Sequence, residues 1–252
     1  MTKIRSEAIK YSDRVVISAS QNLEDVLLNR VFATNESGFY VDIGAGDPNW
    51  DSVTNWFYRL GWRGINVDPN PIFINSYSYW RKEDIFINKG CSDKPEVLTF
   101  TQVLQNEIGQ GWGLSSFDRN SDMLATKNGF ETKEIPIPCV TLMSIIKEYV
   151  HCEVDFLKID VEGYESKIVC SIDFSIFRPK VILIEAVSPL TSVPSYDDFE
   201  NVILKADYVY AFFDGVNNYY LAKENIELLP QFNAGVNVND KWRKMEEADL
   251  FN

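Results

Sequence analysis

Tyr40-Val41-Asp42-Ile43-Gly44-Ala45-Gly46-Asp47 is the stretch on which the fold turns. A short apolar strand runs into two glycines one residue apart. Glycines there let the backbone pass close to a ligand at the carboxyl end of a strand. The dinucleotide fingerprint G-x-G-x-x-G needs a third glycine at position 49, which is Asn49, preceded by Pro48. Asp42, two residues before the first glycine, also departs from that design. A carboxylate beneath the loop repels a pyrophosphate, whereas it binds an ammonium group or orients the loop. The turn therefore favours a zwitterionic, cationic ligand over a dinucleotide.

Working outward, Gly64-Ile65-Asn66-Val67-Asp68 reads as the next strand, cut by Pro69. Asp68 stands one β-α-β unit after Gly44, where a carboxylate accepts hydrogen bonds from ribose hydroxyls. Asp155-Phe156-Leu157-Lys158-Ile159-Asp160-Val161-Glu162-Gly163-Tyr164-Glu165 delivers Asp160 to a strand end, with Glu162 in the turn and Glu165 one helical turn later. Glu185 closes the apolar run Val181-Ile182-Leu183-Ile184. Carboxylates at neighbouring strand ends repel one another unless they serve a cation, a base or a helix cap. Glu162 and Glu165 equally suit acidic first-turn residues favoured by the helix dipole.

The flanking pattern alternates. Helices are predicted at about 23–32, 52–60, after Pro71, 142–150, 162–171 and 196–206. Strands are predicted at 39–43, 64–68, 84–88, 97–102, 134–141, 155–160 and 180–185. Such alternation gives an α/β fold with a mostly parallel sheet and helices on both faces. The runs 208–213 and 218–222, joined across Asp214-Gly215, read as an antiparallel edge hairpin. The 252 residues are expected to form one domain, with an N-terminal helical extension over about 1–36 and a loop-rich insertion over about 106–133.

Composition narrows the function. The chain carries 24 Lys+Arg against 37 Asp+Glu, a formal charge of -13. That field repels phosphate backbones and anionic bilayers, so neither nucleic acid nor a membrane surface is an expected partner. No run of eighteen apolar residues would span a bilayer, and the first residues lack an apolar leader core, so a cytoplasmic protein is expected. Cys91, Cys139, Cys152 and Cys170 include no C-x-x-C pair and are expected to be reduced and mostly buried. The single histidine, His151, leaves acid–base work to carboxylates and makes a finger-type zinc site nearly impossible.

A set of motifs in order carries a resemblance. They are Ser20-Gln21-Asn22-Leu23-Glu24-Asp25, Tyr40-Val41-Asp42-Ile43-Gly44-Ala45, Asp51-Ser52-Val53-Thr54, Gly61-Trp62-Arg63-Gly64-Ile65-Asn66-Val67-Asp68-Pro69, Leu157-Lys158-Ile159-Asp160-Val161-Glu162-Gly163-Tyr164-Glu165, Arg178-Pro179-Lys180-Val181-Ile182-Leu183-Ile184-Glu185 and Asp214-Gly215-Val216-Asn217. Together they resemble the FkbM-type S-adenosylmethionine-dependent methyltransferases. The resemblance implies a class I, Rossmann-like methyltransferase fold and O-methylation, frequently of sugar hydroxyls, as in polysaccharide biosynthesis. By position it implies that Gly44, Ala45 and Gly46 wrap the methionine part of the cofactor. Asp42 would lie beneath that loop or near the amino group, Asp68 would hold the ribose, and Ser92 and Asp93 would border the adenine. Asp160 and Glu162 would border the methyl group and the acceptor. Asp68 stands where many members carry Glu, and Val216-Asn217 replaces the commoner Leu-Asn.

Methyl transfer from a sulfonium to a sugar hydroxyl calls for positioning and for removal of a proton. Asp160, Glu162 and Glu185 are the candidate bases, and the same carboxylates are compatible with Mg²⁺ as a secondary reading. Trp112, in the insertion, would stack a sugar or anchor its loop. Trp56, Phe57, Tyr58 and Trp62 read as packing, and Arg59, Arg63 and Arg81 as solvated cations. Two other classes stay open on residues alone: a nicotinamide-dependent oxidoreductase, and a non-catalytic binding module that retains the fold.

Overall fold

The structure, a computed structural model, describes residues 8–104, 115–117, 123, 127, 129–188 and 193–251. Along the chain come β1 (Val16–Ser18), α1 (Glu24–Val31), β2 (Phe39–Ile43), α2 (Asn55–Arg59), β3 (Arg63–Val67), α3 (Ile74–Trp80), β4 (Ile85–Ile87), β5 (Gly90–Cys91) and β6 (Glu96–Val103). There follow β7 (Thr132–Val140), α4 (Leu142–Tyr149), β8 (Phe156–Ile159), α5 (Glu165–Cys170), β9 (Val181–Glu185), α6 (Glu200–Lys205), β10 (Tyr208–Phe213), β11 (Asn217–Ala222) and β12 (Trp242–Lys244). Short 3-10 segments cover Pro71–Phe73, Lys223–Phe232 and Glu247–Phe251.

Seven strands form the main sheet in the order β10-β11-β9-β8-β2-β3-β4. β4, β3, β2, β8 and β9 run parallel, and β11 and β10 return antiparallel at one edge. The chain leaves β2 towards β4 and then crosses back to β8 on the other side of β2. That reversal makes the β2/β8 boundary the switch point, where the carboxyl ends of parallel strands open a crevice.

Strand parity divides the interior. Val41, Ile43, Leu157, Ile159, Ile182 and Ile184 face one core, closed by Ile145 of α4, Ile168 of α5 and Ile203 of α6. Tyr40, Phe156, Val181 and Leu183 face the other, closed by Val26 and Leu27 of α1 and Trp56 and Phe57 of α2. Because successive side chains alternate, Asp42 and Lys158 fall on the second face, the polar ends of its apolar rows. Trp56 and Trp62 are core residues there, as their packing role predicts.

Several expectations are corrected. The runs 97–102 and 134–141 are strands, but they leave the main sheet and form a three-stranded sheet in the order β5-β7-β6. Pro136 and Pro138 sit in β7 opposite Thr99 and Val97, beyond the two residues that pair with β5, so their missing N–H groups cost no ladder bond. The predicted helix 162–171 begins only at Glu165, because Glu162 (φ 55) and Gly163 (φ 105) are left-handed. The predicted helix 52–60 is confined to Asn55–Arg59. Arg81 is not solvated. It is fully buried and donates to the carbonyls of Pro48 (2.8 Å) and Thr54 (3.3 Å) and to Asp84 (3.3 Å), which pins the segment after the glycine turn. Cys91 and Cys139 are buried as expected, whereas Cys152 and Cys170 are exposed; all four are free thiols.

The carboxyl-terminal segment, for which the pattern predicts no structure, packs against the amino-terminal one. β12 pairs in parallel with β1, and Arg30 of α1 reaches Asp240 (2.5 Å) and the carbonyls of Gln231 (2.9 Å) and Ala234 (2.7 Å).

Candidate active site

The glycine turn closes over the switch point. Gly44 (φ 79) and Gly46 (φ 61) are both left-handed. A Cβ on Gly44 would collide with the carbonyl oxygen of Asp160, so the loops after β2 and β8 touch only because that position is glycine. A Cβ on Gly46 would meet nothing within 4 Å. Gly46 therefore faces open space, and its backbone N–H donates to Asp68 Oδ2 at 2.8 Å. The other oxygen of Asp68 accepts from Asn70 N at 2.8 Å. Burial pushes the Asp68 carboxyl up to about 6, against the pull of those two N–H groups.

Beneath the turn lies Lys158. Its ammonium donates to the Gly44 carbonyl at 3.1 Å and stands 3.3 Å from both Asp42 Oδ1 and Asp160 Oδ2. Asp42 is fully buried and takes a further hydrogen bond from Thr54 Oγ1 at 3.4 Å. The ammonium group that Asp42 meets is thus the protein's own, and through it the carboxylate is linked to the Gly44 carbonyl. Burial alone would lower the Lys158 pKa, but Asp160 and Asp42 outweigh it and hold the group above its ordinary range. Lys158 is absent from the predicted site residues. Its signal was a lone cation in an otherwise apolar strand, between two strand-end carboxylates.

Asp160, Glu162 and Glu185 come together at the ends of β8 and β9, with one carboxylate oxygen of each within 4.8 Å of the others. Asp160 keeps a third of its side chain exposed. Burial first, and then repulsion from Asp160, pushes both Glu162 and Glu185 well above the usual carboxylate range. Glu162 Oε2 is buried without a hydrogen-bond partner. Three hard oxygen donors of which one is unsatisfied suit a small divalent cation as well as they suit a shared proton. Glu165 plays another part. It accepts from the N–H groups of Val161 (2.9 Å) and Gly163 (3.0 Å), capping the left-handed turn that aims Glu162.

The motifs nearest the two ends of the chain also meet here. Asn217 Nδ2 donates to Glu24 Oε1 (3.1 Å) and Asp214 Oδ2 (3.2 Å), and Asn22 Nδ2 donates to the Asp214 carbonyl (3.3 Å). Asn217 pairs with Glu185 across β11 and β9, which places this cluster beside the carboxylates. Burial raises Glu24 to about 7, opposed mainly by hydrogen bonds from backbone N–H groups. Neither motif's short pattern predicts this meeting, which joins residues 193 positions apart.

Of the remaining predicted residues, Ser92 is fully buried, its hydroxyl given to Glu96 (2.8 Å) and Asp93 (3.1 Å), while Asp93 is exposed. Trp112 lies outside the described residues. Ser116, from the same insertion, donates to the Glu162 carbonyl at 2.7 Å, and Phe117 packs on Tyr164 with ring centroids 5.7 Å apart. The insertion thus touches the turn that carries Glu162. Among the described residues no helix is long and apolar enough to cross a membrane.

Compared with known families, residues 42–210 match the profile described as the methyltransferase FkbM domain, a span of more than half the chain. No curated protein matches the chain.

Proposed function

The chain belongs to the FkbM methyltransferase family, and from that premise we propose that it is an S-adenosylmethionine-dependent O-methyltransferase whose acceptor is a sugar hydroxyl. Family membership sets the nicotinamide alternative aside. We read the main sheet, with its reversal at β2/β8 and its antiparallel edge, as the class I methyltransferase arrangement of a single domain. The observation that carries the proposal is the pairing of Gly46 with Asp68. An open, side-chain-free turn is tied by its own N–H to a buried carboxylate one strand away, and Lys158 links the same turn to Asp160 of the carboxylate cluster.

The residues fit the cofactor. The turn Gly44-Ala45-Gly46 would hold the methionine part on the open side of Gly46, and Asp68 would accept from the ribose while holding the turn in place. Asp42 and Lys158 keep the turn rigid from below, so little ordering is left for binding to impose. When bound, S-adenosylmethionine supplies an electrophilic methyl group. The work left to the chain is to hold the acceptor oxygen in line and to take its proton. Asp160, a third of whose side chain is exposed, or Glu162, aimed by Glu165 and Ser116, accepts that proton, with Glu185 next to both. The same three carboxylates would hold Mg²⁺, which would lower the hydroxyl's pKa.

Calorimetry with S-adenosylhomocysteine, followed by a methyl-transfer screen over neutral glycans and nucleotide sugars read by mass, tests the proposal. Absence of cofactor binding would sink it. Binding without transfer to any hydroxyl would leave the non-catalytic module instead.

A further inference from the structure

A cavity of about 420 Å³ opens between α6 and the β10–β11 hairpin. We propose that it is a subsite for an uncharged sugar residue of the acceptor, next along the chain from the residue that is methylated. The proposal rests on the sugar O-methyltransferase reading and extends it to substrate class.

The walls are built for such a ring. Tyr196, Tyr210 and Phe213 supply aromatic faces, while Glu200 and Asn218 supply a carboxylate and an amide. Aromatic faces suit the C–H face of a sugar, and a few fixed polar groups suit its hydroxyls. Tyr210 and Phe213, three residues apart on one strand, would ordinarily face opposite sides of the sheet. A bulge between Tyr210 and Phe212 shifts the register, so that Tyr210 pairs with Tyr220 and Phe213 pairs with Asn218. Both rings thus turn to the same face, the kind of re-aiming for which bulges are used. They remain 47% and 40% exposed, which is unusual for aromatic residues whose neighbours are core.

The polar groups are pre-set. Asn218 Nδ2 donates to the Tyr220 hydroxyl at 3.1 Å, and that hydroxyl donates to Glu200 Oε1 at 3.1 Å. A ligand therefore meets a carboxylate whose position is already fixed. Glu200 is the only charged group among the described lining residues. With no cation opposite, the site repels phosphates and uronates and admits a neutral ring.

Location gives the acceptor its length. Ala186, in the cavity wall, directly follows Glu185 of the carboxylate cluster, a Cα step of about 3.8 Å. Strand alternation turns the two to opposite faces of the sheet. A ligand using both sites must reach from one face of the sheet to the other, so it spans at least two sugar residues.

The test uses the full chain with S-adenosylmethionine and four probes: maltose, cellobiose, methyl glucoside and UDP-glucose. The wild type should favour a neutral disaccharide over methyl glucoside. Phe213→Ala should raise the disaccharide KM roughly three- to tenfold, the size of a lost aromatic contact, and leave kcat and S-adenosylhomocysteine affinity unchanged. Glu200→Gln, which keeps the acceptor for Tyr220, should raise it about tenfold or more. Methyl glucoside should be indifferent to both changes. Unchanged disaccharide KM in both variants, equal losses for monosaccharide and disaccharide, or preference for UDP-glucose would overturn the subsite. If the wild type methylates no sugar, the parent reading fails separately. Saturation-transfer NMR then decides the cavity: disaccharide contacts present in the wild type and lost in Phe213→Ala keep it, and contacts absent from the wild type remove it.

Discussion

Lys158 and Asp42 form a buried ion pair between adjacent parallel strands, Nζ 3.3 Å from Oδ1, directly under the glycine turn. Their side chains are 8% and 1% exposed, so neither charge has water to fall back on. The pair joins loop, sheet and the carboxylate cluster, because the same ammonium reaches the Gly44 carbonyl and Asp160.

Removing one partner should therefore cost more than removing both. Lys158→Met leaves the Asp42 charge uncompensated and should lower stability by about 3–5 kcal/mol at neutral pH. The double variant with Asp42→Leu should recover a large part of that loss. Urea unfolding of the two singles and the double measures the coupling. Additive losses would mean that the pair does not act as a unit.

The two glycines should respond differently to the same change. Gly44→Ala meets both a left-handed φ and the Asp160 carbonyl, so it should fold poorly. Gly46→Ala meets only the φ penalty, about 1–2 kcal/mol, and should fold. Its methyl group would occupy the open space assigned to the cofactor, so S-adenosylhomocysteine affinity should fall. Circular dichroism and calorimetry read the contrast, and wild-type affinity in a folded Gly46→Ala would move the cofactor away from this turn.

Asp68 should give cofactor binding a pH dependence. Its folded-state value of about 6 lies above the ordinary 3.8. The native free protein holds this proton more tightly than the unfolded chain, so the group's contribution to stability falls as pH rises from about 4 to 6. Ribose hydroxyls need the ionised form as acceptor, so cofactor affinity should instead weaken as pH falls below about 6. Asp68→Ala should cost about 1.5–3 kcal/mol of binding at pH 8. It should also flatten the pH profile, and a profile that persists in the mutant would assign the titration to another group.

Asp160→Asn or Glu162→Gln, whichever removes the base, should cut turnover by roughly 10²–10⁴ with cofactor affinity within a few fold, the usual worth of a positioned base. Burial, reinforced by repulsion from Asp160, pushes Glu162 and Glu185 up and so favours their protonated forms. Activity of a metal-free enzyme should accordingly climb with pH. Loss of activity in EDTA with recovery in Mg²⁺ would identify the metal version; indifference to EDTA would identify the bare carboxylate. Normal turnover in both amide variants would pass the role to Glu185.

How much of this was legible beforehand depends on the range of the interaction. Strand β2, the glycine turn, Asp68, the strand-end carboxylates and the edge hairpin are written in short patterns: apolar runs, glycine spacing, and a breaker such as Pro69. Each follows from backbone sterics or from a side-chain period within about ten residues, so the sequence alone determined the sheet's main strands and the edge where the carboxylates gather. It could not show that Lys158 turns inward to Asp42, that Arg81 is sealed under the Pro48 carbonyl, or that Asn217 closes on Glu24. Nor could it separate β6 and β7 from the main sheet, or dock β12 on β1. Those outcomes join residues tens to hundreds of positions apart. Only the folded chain brings them within hydrogen-bonding distance, and the cost of leaving a buried charge unpaired then selects the partner.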